Sequence, residues 1–235
     1  MLVLETRAVL YLTITRHRRE QICNDLSIQG WAMRYEITTI SCSPIGTQDA
    51  SKRARAWIAD AVAGQLLGIW HSDIGTVGQL IVFREFDSEE ALAGERERAL
   101  LSEDPFGSAS GGTPIRMETF VPFPFLPPVV PRDYGGTFEF RTYLQKPGGL
   151  PGTMAGWRDA IRPAQAYTDH LVVNMYALDG EPRITHIWSF ASVAQRDALR
   201  AEHYAAGLWP PIGGPERIAG ATSTIARAEP GLPIS

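Results

Sequence analysis

The sequence is poor in cysteine. Its 235 residues include only Cys23 and Cys42. Two lone thiols make neither a disulfide framework nor a zinc site. The histidines lack metal-ligand spacing too, because none is paired at i, i+4 beside a glutamate. We therefore expect a protein of the reducing cytoplasm that holds no metal.

Net charge and long apolar runs are also scarce. The formal net charge of −4 at pH 7 gives no electrostatic basis for binding nucleic acid or an anionic membrane. No apolar run approaches the ~20 residues that span a bilayer. The glycine-rich segment 107–112 follows a predicted helix instead of a strand, so it is interpreted as a flexible loop and not as a phosphate loop. We therefore predict that the protein binds no nucleic acid, no membrane and no cofactor.

The sequence does contain an internal repeat. Residues 35–40 and 138–143 share the order aromatic, Glu, apolar, polar, Thr, apolar or aromatic, which alternates as a strand does. Tyr35 and Phe138 are 103 positions apart, and Phe86 and Phe190 are 104 apart. This near-constant offset indicates a duplicated unit of about a hundred residues.

Each copy has the same predicted order of elements. A strand leads through a Pro/Gly break into an amphipathic helix, for which Thr47 is a plausible cap in the first copy. A hairpin follows, with turns near Ile74-Gly75 and at Asp179-Gly180. A second helix begins at a capping box, 87–90 or 192–195, and a last strand closes the copy. The order β-α-β-β-α-β predicts a ferredoxin-like unit.

The repeat predicts a division of the chain. We expect an extension over residues 1–32, a first domain over 33–120, a proline-rich linker over 121–133 and a second domain over 134–235. Met33 stands just before the first strand and is the expected start of the fold or of translation. One face of each sheet has no helices, so the two copies are expected to pack sheet to sheet as an intrachain α/β barrel. The whole chain could pair again as a homodimer.

Several motifs then resemble the NIPSNAP family, whose proteins are dimeric α/β barrels. The hairpin segment 68–75 resembles the Gly-x-Trp-x-Thr-Glu-Ile-Gly stretch of that family, and 138–148 resembles its opening strand Tyr-Glu-Leu-Arg-Thr-Tyr-x-x-Lys-Pro-Gly. His186-x-Trp188 resembles its His-x-Trp segment, where the first copy has Val82 and Arg84. The match covers roughly residues 33–230. It implies the barrel fold and no general reaction, since fold does not fix function among related barrels.

Candidate site residues come first from the second copy. One face of its opening strand is expected to pack on the helices: Phe138, Phe140 and Thr142. The other face is expected to point into the barrel: Glu139, Arg141 and Tyr143. His186 and Trp188 lie on a predicted neighbouring strand, so His186, Tyr143 and Arg141 are the catalytic candidates, with Glu139 and Trp188 as ligand contacts.

Alternatives remain at this stage. Strand alternation gives two faces without saying which is inside, so His186 could equally be a hydrogen-bonded core residue. Glu139 and Arg141 could form a simple ion pair. Trp70, Asp73 and Arg84 are the ligand-binding candidates of the first copy, although hairpin ends such as Asp73 are often only exposed.

The sequence supports two hypotheses about function. The first is a barrel that binds a small, largely apolar metabolite in its lumen, with a cofactor-independent acid-base or monooxygenase reaction as an extension. The alternative is a non-catalytic scaffold whose lumen is a packed core. The size of the lumen discriminates between them.

Overall fold

The structure, a computed structural model, describes residues 33–109 and 112–235. The predicted extension, residues 1–32, lies outside these described residues. Eight strands are present: β1 (Arg34–Ser41), β2 (Gln65–Ile74), β3 (Gln79–Phe86), β4 (Ile115–Pro122), β5 (Thr137–Gln145), β6 (Leu171–Ala177), β7 (Arg183–Phe190) and β8 (Ile218–Ala228). The helices are α1 (Thr47–Ala59), α2 (Glu89–Leu101), α3 (Gly149–Ile161), α4 (Gln165–Thr168) and α5 (Val193–Ala205).

Side-chain caps set where the second helix of each copy begins. The Ser88 hydroxyl accepts a hydrogen bond from the Ala91 amide at the start of α2, and the Ser192 hydroxyl does the same for the Gln195 amide at α5. Each bond satisfies one of the free amides of the first turn. Thr47, the predicted cap of α1, is instead the first helical residue after Gly46, and its hydroxyl donates to the Pro44 carbonyl.

All eight strands form one closed antiparallel barrel. Their order around it is β1-β3-β2-β8-β5-β7-β6-β4. Each half contributes four consecutive strands in the ferredoxin-like order, β4-β1-β3-β2 and β8-β5-β7-β6. The predicted fold class, two tandem ferredoxin-like units closing an intrachain α/β barrel, is therefore confirmed.

Two seams join the halves. At one of them β2 pairs with β8, as in Trp70 with Ala228 and Ser72 with Ala226. Gly75 ends this seam with φ +103°, and a Cβ there would lie 2.7 Å from the Ser223 carbonyl oxygen. At the other, β4 pairs with β6 through Phe120 and Ala177 and the next two residue pairs. Closure leaves no sheet edge in the described residues.

The chain between the halves is partly built into the barrel. Val121 and Pro122 belong to β4, and the Phe123 amide continues the seam by donating to the Asn174 carbonyl. Farther along, the Val129 amide donates to the Tyr35 hydroxyl at one end of the lumen. Much of the segment predicted as a linker thus packs as core, and the proposed domain division at 121–133 stays a prediction.

None of the helices in the described part of the chain combines the length and apolar character needed to cross a bilayer.

Candidate functional site

The two faces of β5 are reversed relative to the sequence prediction. Phe138 and Phe140 point into the lumen, where each meets the Trp70 ring edge-on at centroid distances of 5.3 and 5.2 Å. Glu139 and Arg141 lie on the outer face, under the helices. The assignment of Glu139, Arg141 and Tyr143 to the lumen was therefore wrong. The physical reason is that the lumen is the core shared by both halves and takes the apolar set, whereas the helix layer supplies partners for charge.

Glu139 is the centre of a buried charge cluster. Its carboxylate accepts hydrogen bonds from Arg141 at 2.6 Å, from Arg196 of α5 at 2.6 and 2.8 Å, and from the Ser223 hydroxyl at 2.7 Å. Burial alone would raise the pKa of Glu139, but the hydrogen bonds from Arg196 and Arg141 outweigh it and hold the pKa well below its usual value. Arg141 also donates to the Tyr167 hydroxyl at 3.2 Å. The cluster ties β5 to β8 and α5, which is a structural role.

His186 lies beside this cluster and is also under the helices. Its ring meets Trp157 of α3 and Tyr143 edge-on, at centroid distances of 5.0 and 4.8 Å. The Trp188 indole N–H donates to Nδ1 of His186, so the neutral ring carries its proton on Nε2. Burial, and then the nearby Arg141 charge, lower the pKa of His186 well below its usual value. His186 is a neutral core histidine, so its predicted place in the lumen was wrong.

Two more candidates, Trp188 and Tyr143, share this outer core. Trp188 is fully buried and stacks on Tyr167 at 4.5 Å between centroids. Tyr143 is partly buried, and burial raises the pKa of its phenol. Both side chains leave the lumen free, because they face α3 and α5.

Arg84, a candidate of the first half, is likewise under the helices. It is fully buried and pairs with Glu36 at 2.7 Å and with Glu95 of α2 at 3.1 Å. The Phe106 ring lies 5.4 Å from its guanidinium. Its cation is neutralised by two carboxylates, so it is a core residue and not a lumen contact.

The last two candidates lie in different places. Asp73 is exposed and forms an ion pair with Arg227 across the β2–β8 seam at 3.3 Å. Trp70 is fully buried in the lumen, with its ring lying over Gly68. A Cβ at Gly68 would come within 2.2 Å of that ring, so the glycine is what allows the indole to lie flat against the strand. Trp70 alone among the eight candidates is a lumen residue.

The lumen has a closed end and an open end. The closed end is filled by packed aromatic side chains: Tyr35, Trp70, Phe83, Phe120 and Phe138. The open end holds a cavity of about 440 Å³ that starts at Phe140 and Phe120. Volumes of this order suit small organic ligands. The barrel is therefore a packed core at one end and holds a cavity at the other.

The cavity has an apolar floor and hydroxyl-bearing walls. Ile37, Ile81 and Phe140 contribute to the floor. The walls carry a ring of threonines from four strands: Thr39, Thr142, Thr185, Thr222 and Thr224. The Thr142 and Thr185 hydroxyls bond to each other at 2.9 Å, and the other lone pairs of both oxygens can accept from a guest.

Charged side chains line the cavity only at its rim. Of the described residues that line it, Arg116 and Glu118 alone are charged, and they pair with each other at 3.0 Å. Glu118 also forms an ion pair with Arg183 at 2.9 Å. The arrangement can hold an uncharged molecule by apolar contact and hydrogen bonding, and it offers a guest no histidine for proton transfer.

Sequence reasoning missed the threonine ring. Threonine is a common strand residue, so no single one attracts notice. The available signal was the i, i+2 spacing of Thr222 and Thr224, together with Thr142 and Thr185 on strands expected to be neighbours. These positions share one face once the apolar set of β5 is placed inside.

The NIPSNAP family model matches residues 35–109 and 138–226. A comparison with curated protein sequences finds no significant match.

Solved structures share the barrel. An anthrone oxidase-like protein is 14% identical with a TM-score of 0.58, covering 83% of this chain and 91% of that one. A chlorite dismutase variant from Candidatus Nitrospira defluvii is 7% identical with a TM-score of 0.55, covering 85% and 92%. A NIPSNAP family protein of unknown function from Agrobacterium tumefaciens C58 is 26% identical over 42% of this chain and 93% of its own, with a TM-score of 0.35. The first two similarities show the fold alone.

Proposed function

The chain belongs to the NIPSNAP family, and from the cavity in its barrel we propose that it binds a small, largely apolar organic molecule in the lumen. The observation that carries this proposal is the half-open lumen of about 440 Å³. A closed end of packed aromatics makes the cavity blind, so a guest enters and leaves by the rim of Arg116 and Glu118.

The lining selects the chemistry of the guest. An apolar body would pack on Phe140, Ile37 and Ile81, where burial of apolar area supplies the affinity. Hydroxyl or carbonyl groups on its edge would meet the threonine ring and fix its orientation. The balance of wall and floor supports an uncharged, partly oxygenated molecule.

Binding is better supported than acid-base catalysis. The catalytic candidates of the sequence analysis, His186, Arg141 and Tyr143, lie on the outer face of the sheet, under the helices and away from the cavity. A reaction in the lumen would have to use the chemistry of the guest itself, positioned by hydroxyls. A location in the cytoplasm and a homodimer of the whole chain stay predictions.

The test is recovery of the guest from the purified protein. The full chain is purified, denatured, and any released small molecule is identified by mass spectrometry. Thr224→Trp places an indole in the cavity, and we expect it to lower the yield of the released molecule at least tenfold. Arg158→Trp is the matched control, because Arg158 is exposed on α3 and adds the same indole outside the barrel.

Two results would contradict lumen binding. One is an equal yield of the same molecule from Thr224→Trp and from the wild-type chain. The other is that nothing is released and that calorimetric titration with 2-naphthol, a partly oxygenated aromatic probe, detects no binding.

A further inference from the structure

A second concave site lies outside the barrel, at the β2–β8 seam. This seam pocket has a volume of about 670 Å³ and is lined by Thr47, Gln48, Ser51, Lys52, Arg55, His71, Arg227, Ala228, Glu229 and Pro230. The first half contributes α1 and β2, and the second half contributes β8 and the chain just after it. Trp70 and Ala226 point into the lumen, so their neighbours His71 and Arg227 face outward. The seam pocket and the lumen are therefore on opposite faces of the sheet.

The lining of the seam pocket is rich in cations. Lys52, Arg55 and Arg227 stand against a single carboxylate, Glu229. That carboxylate is already engaged, by Nε2 of His71 at 2.9 Å and by Arg55 at 3.4 Å. The chain as a whole carries a net charge of −4, so this local excess of positive charge runs against its overall sign.

The remaining ion pairs of these cations are exposed. Lys52 pairs with Asp49 at 3.4 Å, and Arg227 pairs with Asp73 at 3.3 Å, with every side chain about half exposed or more. Arg227 also donates to the Thr137 hydroxyl at 3.3 Å. Exposed pairs of this kind are weak, so Lys52 and Arg227 can exchange them for an anion in the pocket.

Two buried polar atoms in the seam pocket are unsatisfied. Within residues 33–109 and 112–235, the Ser51 hydroxyl and Nδ1 of His71 have no hydrogen-bond partner. Ser51 is only 2% exposed, and a buried hydroxyl is normally bonded. Both atoms belong to residues that line the pocket. Nε2 of His71 donates to the Glu229 carboxylate, which leaves Nδ1 as an acceptor. The unpaired Ser51 hydroxyl is therefore the atom that indicates a ligand, one that accepts a hydrogen bond from it.

The start of α1 adds a further attraction for an anion. Thr47 and Gln48 are the first two residues of this 13-residue helix, and both line the pocket. Free amides and the helix dipole favour negative charge there. Ser51 follows one turn later on the same face.

From these features we infer that the seam pocket binds a phosphate group. Lysine and arginine side chains that approach from both halves suit a compact dianion with acceptor oxygens in several directions. A bound phosphate accepts from Ser51 and is paired with Lys52, Arg55 and Arg227. It thereby links α1 of the first half to β8 of the second. The inference does not depend on the lumen or on what the lumen holds.

The experiment uses the full chain with inorganic phosphate as the probe. Calorimetric titration is run in a buffer of constant ionic strength, and thermal melts are recorded with and without phosphate. We expect saturable binding and a higher melting temperature in phosphate than in sodium chloride of equal ionic strength. Phenyl phosphate is a second arm: tighter binding than inorganic phosphate assigns the site to an organic phosphomonoester, and weaker binding assigns it to the free ion.

Matched variants locate the site. Ser51→Ala removes a hydroxyl that has no partner in the described structure, so the fold should persist while phosphate affinity falls about tenfold. Arg227→Gln should weaken binding about fivefold. Arg158→Gln removes an equal charge from an exposed position elsewhere and should change affinity less than twofold.

Other results would overturn the inference. If sodium chloride raises the melting temperature as much as phosphate does, the rise reflects ionic screening and not binding at a site. Equal affinity in Ser51→Ala, Arg227→Gln and the wild-type chain places any binding elsewhere. Circular dichroism of each variant separates loss of affinity from loss of fold, and Thr224→Trp, which fills the lumen, should bind phosphate as the wild-type chain does.

Discussion

The two halves of the barrel bury a glutamate at the same position and neutralise it differently. In the first half, Glu36 lies opposite Arg84 on the neighbouring strand, and Glu95 shares that arginine. In the second half, Glu139 lies opposite Trp188, and it pairs with Arg141 of its own strand and with Arg196 of α5. The strand arginine thus stands across the sheet in one half and along the same strand in the other, and each half adds an arginine from its second helix, Arg96 or Arg196.

The difference shows that the carboxylate position matters more than the origin of the cation. Adjacent strands are about 5 Å apart, and an arginine side chain can span that distance. When the cation stands on β5, the position opposite Glu139 is free for Trp188, and the next position along takes His186 where the first half has Val82. The second half therefore places the rings of Trp188 and His186 beside its charge cluster, where the first half has Arg84 and Val82.

The largest expected effect follows from the shared arginine of the first half. Arg84→Met leaves Glu36 and Glu95 buried without their common cation. We expect a loss of about 3–5 kcal/mol in the free energy of unfolding, measured by urea denaturation. Arg158→Met, which breaks only an exposed pair, should cost less than about 1 kcal/mol. A similar small loss in both variants would show that Arg84 does not carry the charge balance of its half.

A smaller effect is expected at the positions where the halves hold Val82 and His186. His186→Ala removes the acceptor of the Trp188 indole and opens a void beside Trp157. It should lower the free energy of unfolding by about 2–4 kcal/mol. Val82→Ala, which breaks no hydrogen bond, should cost about 1–2 kcal/mol. Both are measured by urea denaturation.

The same His186→Ala variant also checks the lumen. Its release of the bound molecule should equal that of the wild-type chain, because His186 faces away from the cavity. If the His186→Ala variant kept the stability of the wild-type chain but released no bound molecule, His186 would have to face the lumen, and the assignment of the two faces of the sheet would be wrong.

The smallest effect is the dependence of stability on pH that His186 supplies in the second half. The pKa of His186 is lower in the folded chain than in the unfolded chain, mainly through burial and then through Arg141. The unfolded state therefore takes up a proton first as the pH falls below about 6.5. Stability is complete above that pH and should decrease below it by up to about 1.4 kcal/mol per pH unit.

Urea denaturation at pH 7.0 and pH 5.5 measures this contribution. His186→Gln removes the titrating ring and should flatten the decrease, whereas Val82→Thr should leave it unchanged. An equal decrease in His186→Gln and in the wild-type chain would assign the dependence to another group.

The repeat made the fold predictable from sequence, and the barrel interior escaped prediction for a physical reason. Strand alternation separates Glu139 and Arg141 from Phe138 and Phe140 but does not say which pair faces the lumen. When the ion-pair partners of two charged residues are unknown, the residues are readily assigned to a solvent-filled lumen. The partner was Arg196 on α5, the helix that follows β7, and only the tertiary fold brings it to Glu139.

Local signals performed better than face assignments. The Asp179-Gly180 turn was read from two residues, and the structure gives Gly180 a φ of +65° while Asp179 accepts from the Thr119 amide at 2.8 Å. Caps at Ser88 and Ser192 lay within one residue of their predicted positions. Such features depend on neighbours in the sequence, whereas the cavity depends on six strands that meet only when the barrel closes.

Closure of the barrel at the β2–β8 seam has a consequence for biosynthesis. Strand β2 acquires its outer partner only when β8 arrives about 150 residues later in the chain. At synthesis rates of ~5–20 residues per second, that interval lasts ~10–30 s. During it the edge of β2 presents unpaired amides and carbonyls to any neighbouring chain. Neighbouring nascent chains on one polysome can therefore pair edge to edge, which the closed barrel prevents. This risk ends when β8 is synthesised and pairs with β2.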